Sequence, residues 1–195
     1  ASDVYKRQIE GDWSSAASML VAGAVAGEVT VDNLNRLSLQ ADYAIIKALM
    51  LAGAEILSTE NSVTVRRREL KAFEFDATNC PDLFPALAAL AANCRGTSVI
   101  RGTSRLLHKE SNRALTIAEE YEKAGIEVDI SQNDIMRIRG GQIRGCCVDS
   151  HGDHRIAMSM AVAALTADSP IPIRGAECVA KSYPSFFEDL AELIC

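Results

Sequence analysis

DWSSAASMLVAGAVA (residues 12–26), DLFPALAALAANC (82–94) and DHRIAMSMAVAALTA (153–167) are three alanine-rich stretches, each headed by aspartate, that begin 70 and then 71 residues apart. A repeated unit dictates architecture, because each copy buries its apolar face against the next. Each stretch is apolar on nearly every face, the pattern of a helix buried all round. Each is followed by a turn and a β-branched run: EVTVDN from Glu28, TSVIRG from Thr97, IPIRG from Ile171. A second series lies between them: SLQADYAIIKALMLAGAEI from Ser38, HKESNRALTIAEEYEKAGIEV from His108 and AKSYPSFFEDLAELIC from Ala180. Glu119, Glu120, Glu122 and Lys123 give its middle member a charged face, so this series reads as amphipathic. Two hairpin-like stretches, AEILSTENSVTVR and IEVDISQNDIMRIRG, turn at Asn61 and at Asn133 and Asp134. The expected fold class is α/β, with buried helices inside and short strands recurring about every 70 residues.

The chain has 195 residues, enough for one ordinary domain or two small ones, and its 48% hydrophobic and 24% charged content is that of a folding protein. A net charge of −6 argues against nucleic acid as the main partner and leaves room only for a local basic site. The longest apolar runs, 16–26 and 156–167, are too short to cross a bilayer, so no membrane partner is expected. Six scattered cysteines without a C-x-x-C pair fit a reduced, cytoplasmic chain. The opening ASDVYKRQ does not read as a signal peptide. A start at Ala1, followed almost at once by an apolar helical pattern, reads as a piece of something longer.

Helices of one repeat series can turn their N-termini to one end of the fold, where free N–H groups and the dipole favour anions. Asp82, the cluster Lys109, Glu110 and Arg113, the cluster Asp153, His154 and Arg155, and Lys181 all stand at or just before helix starts. Four cations among three carboxylates would hold a polyanion and supply acid and base groups. Plainer readings stand beside this one. An aspartate that opens a helix is an N-cap, and Asp12 reads as no more than that. Glu110 and Arg113 equally form a surface pair three residues apart, worth a few tenths of a kcal/mol. His151, Asp153 and His154 lack further ligands at a usual spacing, so no metal is expected. Cys146 and Cys147 read as core thiols in a strand, and Gly140 and Gly141 as a turn, since no phosphate-binding glycine loop is present.

EGDWSSAAS from Glu10, CPDLFPALAALAA from Cys80, HKESNR from His108, GDHRIAMSMAVAAL from Gly152 and CVAKSYPSFF from Cys178 resemble, in order and spacing, the 5-enolpyruvylshikimate-3-phosphate (EPSP) synthase family, from about residue 9 to 193. The resemblance implies a two-lobed inside-out fold, the enolpyruvyl transferase fold, with three βαβαββ units per lobe, sheets outside and helices within. It places residues 1–8 in an unmatched leader, 9–38 in the tail of the first lobe and 39–195 in the second, C-terminal lobe. The implied reaction moves the enolpyruvyl group of phosphoenolpyruvate to the 5-hydroxyl of shikimate 3-phosphate, without metal or organic cofactor. By that resemblance Asp82 contacts the shikimate hydroxyls and acts as base, and Glu110 exchanges a proton with the methylene. Lys109 meets the shikimate phosphate, with Arg105 at a position of shikimate binding. Arg113, Arg155 and Lys181 hold phosphoenolpyruvate, and Asp153 and His154 line its pocket. Leu107 and Asn112 stand where the family usually has Arg and Asp. Members are about twice this length, so the missing first lobe is an implied partner and this half is expected to be inactive alone. The sister enolpyruvyl transferase acting on UDP-N-acetylglucosamine and a noncatalytic anion-binding remnant are the alternatives.

Overall fold

The computed structural model describes residues 9–107 and 109–192. The leader 1–8, His108 of the HKESNR stretch and residues 193–195 lie outside them. Asp12 accepts the backbone N–H of Ser15 at 2.9 Å and so starts helix α1 (Trp13–Ala26). Helix α3 (Phe84–Ala92) begins after a 3-10 turn at Pro81–Leu83, and α5 (His154–Ala164) begins at the N-cap Asp153. These three helices pack on one another, and all nine residues of α3 are buried. Each fully buried Leu of α3 (Leu87, Leu90) contributes roughly 1.5–3 kcal/mol by leaving water.

The middle repeat is a complete βαβαββ unit. Strand β4 (Glu74–Asp76) runs through α3 to a parallel neighbour, β5 (Thr97–Arg101). Helix α4 (Arg113–Lys123) leads to the antiparallel hairpin of β6 (Glu127–Asp129) and β7 (Ile135–Arg139), and the sheet order is β4-β5-β7-β6. The first repeat has the same plan without the leading strand among the described residues. Strand β1 (Glu28–Asp32) follows α1, then come α2 (Ile45–Ala52) and the hairpin of β2 (Glu55–Ser58) and β3 (Ser62–Arg66), in the order β1-β3-β2. The third repeat keeps the parallel pair β8 (Val148–Asp149) and β9 (Ile173–Arg174) around α5, and then α6 (Phe186–Glu192). Strand faces alternate, as in the pattern of β3 where Val63 and Val65 point inward, so the sheets lie outside and the helices within. Across residue 38 the packing is continuous: Val29 of β1 faces Val65 of β3, and α1 shares one core with α3 and α5.

Other local expectations need correction. Cys146 and Cys147 precede β8 rather than lying in a strand, and Cys147 is exposed. Gly140 is a site of close approach: a Cβ there would lie 1.9 Å from the carbonyl oxygen of Cys94. Glu120, read with the charged face of α4, is buried. At the end opposite the helix starts, Val25 of α1 and Asn93 after α3 share a groove with Arg67, Arg68 and Arg95. No helix among the described residues is long and apolar enough to cross a membrane.

The close approach at Gly140 yields a prediction. Gly140→Ala forces backbone against backbone and lowers the unfolding free energy by about 3 kcal/mol, read as a shifted urea midpoint at unchanged slope.

Candidate active site

The helix starts do converge, and a single side chain ties them together. Arg113, the first residue of α4, is wholly buried and spreads its guanidinium over three carboxylates. Its Nε donates to Asp153 Oδ2 at 2.8 Å and its Nη2 to Asp153 Oδ1 at 3.2 Å, a bidentate pair with no exposure on either side chain. Nη1 donates to Asp82 Oδ1 at 2.9 Å, and Nη2 to Glu110 Oε2 at 2.5 Å. Asp82 also meets Lys109 Nζ at 2.9 Å and faces Arg155 Nη2 at 3.7 Å. Ser111 Oγ donates to Asp153 at 3.3 Å.

The three aspartates that head the repeats therefore do different work. Asp12 only caps. Asp153 caps α5 through Arg155 N–H, 3.0 Å away, and holds Arg113 with the same carboxylate. Asp82 caps nothing, since its 3-10 turn has no side-chain cap, and it is free to face the cations. Glu110 and Arg113 are more than a surface pair, because the arginine has no exposed surface and the glutamate is 44% exposed.

Burial works against the charge of Asp82, but Lys109, Arg155 and Arg113 outweigh it and hold the carboxyl below its ordinary value. Burial, then Arg155, depresses His154, which is neutral at pH 7. Asp42 was not singled out by its sequence. It lies buried in the 3-10 turn Ala41–Ala44, accepts the Ser14 hydroxyl, and is pushed up by burial with a further contribution from Asp82. The signal was present: Asp42 stands 71 residues before Arg113, the offset that separates Asp82 from Asp153. Ser14, Gln40, Asp42, Cys80 and Asp82 line an open groove of about 320 Å³. Burial, with Asp42 and Asp76, pushes the Cys80 thiol up to about 12, which leaves it protonated and unreactive.

Asp82, Lys109, Glu110, Arg113, Asp153 and Arg155 form one cluster, with His154 beside it. Two expected residues are not brought into contact with it. Arg105 is exposed in the 3-10 turn Thr103–Leu106, and Lys181 is exposed at the end of the 3-10 turn Ala176–Lys181; neither has an ion pair among the described residues. Leu107 and Asn112 share a groove of about 470 Å³, and the Asn112 Oδ1 is buried without a partner. Ligand atoms of Glu119, Glu120 and His151 lie within 4.8 Å of one another, the one such group of metal-ligating side chains among the described residues. Lys123 Nζ already sits at 2.7 and 2.8 Å from the two Glu120 oxygens.

An inside-out α/β lobe with charged groups gathered at its helix starts defines an enolpyruvyl transferase fold. The chain belongs to the EPSP synthase family: the family profile for EPSP synthase (3-phosphoshikimate 1-carboxyvinyltransferase) matches residues 2–190. The 3-phosphoshikimate 1-carboxyvinyltransferase of Dehalococcoides mccartyi is 42% identical over 186 residues, 95% of this chain and 44% of that protein. That of Pyrococcus abyssi is 44% identical over 189 residues, 97% of this chain and 46% of its own length. The EPSP synthase structure from Acinetobacter baumannii superposes with a TM-score of 0.82 at 30% identity, covering 95% of this chain and 46% of that one. The enolpyruvyl transferase NikO from Streptomyces tendae shares the fold, with a TM-score of 0.70 at 18% identity. The chain thus spans about half the length of the relatives it matches.

Two predictions follow from the ion pairs. Arg113→Met leaves Asp153 buried and unpaired and costs about 3–5 kcal/mol of unfolding free energy, measured by urea titration. Because the folded value of Asp82 lies below its unfolded one, its contribution is complete above the ordinary carboxylate range and is lost as pH falls through the folded value. Asp82→Asn therefore flattens the acid limb of melting temperature against pH, and an unaltered limb contradicts the pairing.

Proposed function

We propose that this chain supplies the C-terminal half of the active site of a 3-phosphoshikimate 1-carboxyvinyltransferase. The substrates are shikimate 3-phosphate and phosphoenolpyruvate, the product is their enolpyruvyl ether, and phosphate is released. The observation that carries this reading is the Arg113 cluster, in which Lys109, Arg113 and Arg155 alternate with Asp82 and Glu110 at converging helix starts. The cysteines among the described residues are all free, which fits a reducing, cytoplasmic setting.

On this reading the work divides as follows. Asp82, held ionised by its cations, accepts the proton of the attacking hydroxyl. Lys109, part-exposed beside it, meets the phosphate of shikimate 3-phosphate. Arg155 presents its fork to phosphoenolpyruvate. Arg113 is fully enclosed, so an incoming carboxylate reaches Nη2 by displacing Glu110, the half-exposed member of its shell. Released from the guanidinium, Glu110 takes up a proton from solvent and delivers it to the methylene carbon once substrate is in place, returning to the carboxylate. Neutral His154 borders the same pocket, and Arg105 and Lys181 reach it only with closure of the lobes.

The local charge explains why half a site binds poorly. Asp42, Asp82, Glu110 and Asp153 face Lys109, Arg113 and Arg155, so acids outnumber bases before any anion arrives. Two anionic substrates need further cations, which the other lobe must bring, together with exclusion of water.

Phosphate release from the two substrates, measured with this chain alone and with a separately produced first lobe, tests the proposal. Activity is expected only in the mixture; a folded, associated mixture without activity overturns it. In the active mixture, Glu110→Gln lowers turnover by about 10²–10⁴-fold, as loss of a general acid does, and an unchanged rate removes Glu110 from its role.

A further inference from the structure

Helix α4 touches the approach to the site twice. Arg113 and Glu120 are seven residues apart, two helical turns, so they lie on one face about 10 Å from each other. Both reach the segment 149–153 that carries Asp153. Arg113 holds the Asp153 carboxylate at one end. At the other, the buried Glu120 accepts the Asp149 backbone N–H at 3.0 Å through Oε2 and meets His151 Nε2 at 2.7 Å through Oε1.

The segment between these two grips is closed by hydrogen bonds throughout. Asp149 Oδ1 accepts the His151 N–H at 2.7 Å, Ser150 Oγ accepts that of Gly152 at 3.2 Å, and the Ser150 carbonyl accepts that of Asp153 at 2.9 Å. His151 holds φ at +52°, a conformation that costs a non-glycine residue about a kcal/mol and needs such outside support. A buried carboxylate is itself costly unless fully paired. Here burial acts against the charge, but hydrogen bonds with Lys123, His151 and the Asp149 N–H outweigh it, so Glu120 stays below its ordinary range.

We propose that Glu120 is a positioning residue: by fixing the turn at 149–151 from the far end of α4, it sets Asp153, and through Asp153 the orientation of the Arg113 guanidinium. The relevance of that orientation to substrate rests on the proposed function; the mechanical link does not. The groups facing His151 are Glu120 and Glu119 of α4, with Asp149, Lys123 and the Cys146 thiol around the same carboxylate.

The Nε–H resonance of Arg113, buried against Asp153, reads the link directly in nitrogen-resolved NMR. Glu120→Gln, which weakens both contacts to 149–151, is expected to shift that resonance, and His151→Gln, which removes one of them, shifts it less. If Glu120→Gln does not fold, His151→Gln, at a partly exposed side chain, decides the matter. An Arg113 resonance that no folded variant moves overturns the proposal. In the two-lobe mixture, Glu120→Gln raises the KM for phosphoenolpyruvate about tenfold, and Glu120→Asp restores part of it. Failure of the unaltered mixture to turn over defeats the functional reading only, because the resonance decides the positioning role with or without substrate.

Discussion

A buried guanidinium cannot stand without anions, and this lobe is arranged around that requirement. Arg113 belongs to α4, Asp153 to the cap of α5, and Asp82 to the turn before α3, so one side chain joins elements from two repeats. An isolated pair at this depth contributes little net stability, because desolvation offsets attraction. Its consequence is geometric: helix starts that must share one cation cannot slide independently. The apolar packing of α1, α3 and α5 gives the lobe its cohesion, and the Arg113 network gives its polar end a single register.

Hydrogen bonds through the core reinforce the same register away from the charges. The Tyr121 hydroxyl of α4 lies 2.7 Å from Ser159 Oγ of α5, and that hydroxyl donates at 2.5 Å to the Pro85 carbonyl in the first turn of α3. Pro85 cannot take part as a donor, yet its carbonyl remains available at the helix start. Three helices are thus joined by a polar thread through an apolar interior, with both hydroxyls of that thread paired.

The fold was legible because its signals are periodic. Alanine-rich stretches 70 and 71 residues apart carry the three central helices, and alternation around Asn61 and Asp134 carries the two hairpins. Most of the site was legible by residue type at helix starts. What the pattern left obscure depends on depth rather than spacing. Glu120 sits among charged neighbours in the sequence, but its side chain turns inward toward Asp149 and His151. Asp42 is an ordinary polar residue at a helix entrance until Ser14 and Asp82 close around it. Arg105 and Lys181 show the converse: cations that the sequence groups with the site but that stand exposed, without an ion pair among the described residues. Strand pairing joins 28–32 to 62–66 across residue 38, a contact that local composition does not encode.

The groove between the far ends of α1 and α3, with Arg67, Arg68 and Arg95, completes an electrical arrangement. Helix dipoles alone would make the lobe positive at the starts of its helices and negative at their ends. The formal charges run weakly the other way, with Asp42, Asp82, Glu110 and Asp153 against Lys109, Arg113 and Arg155 at the starts and Arg67, Arg68 and Arg95 against Glu55 and Glu69 at the ends, so the two distributions partly oppose each other and the long-range field along the helix axis is weakened. An anion in bulk water is then drawn little by this lobe, and any attraction acts within a Debye length of it.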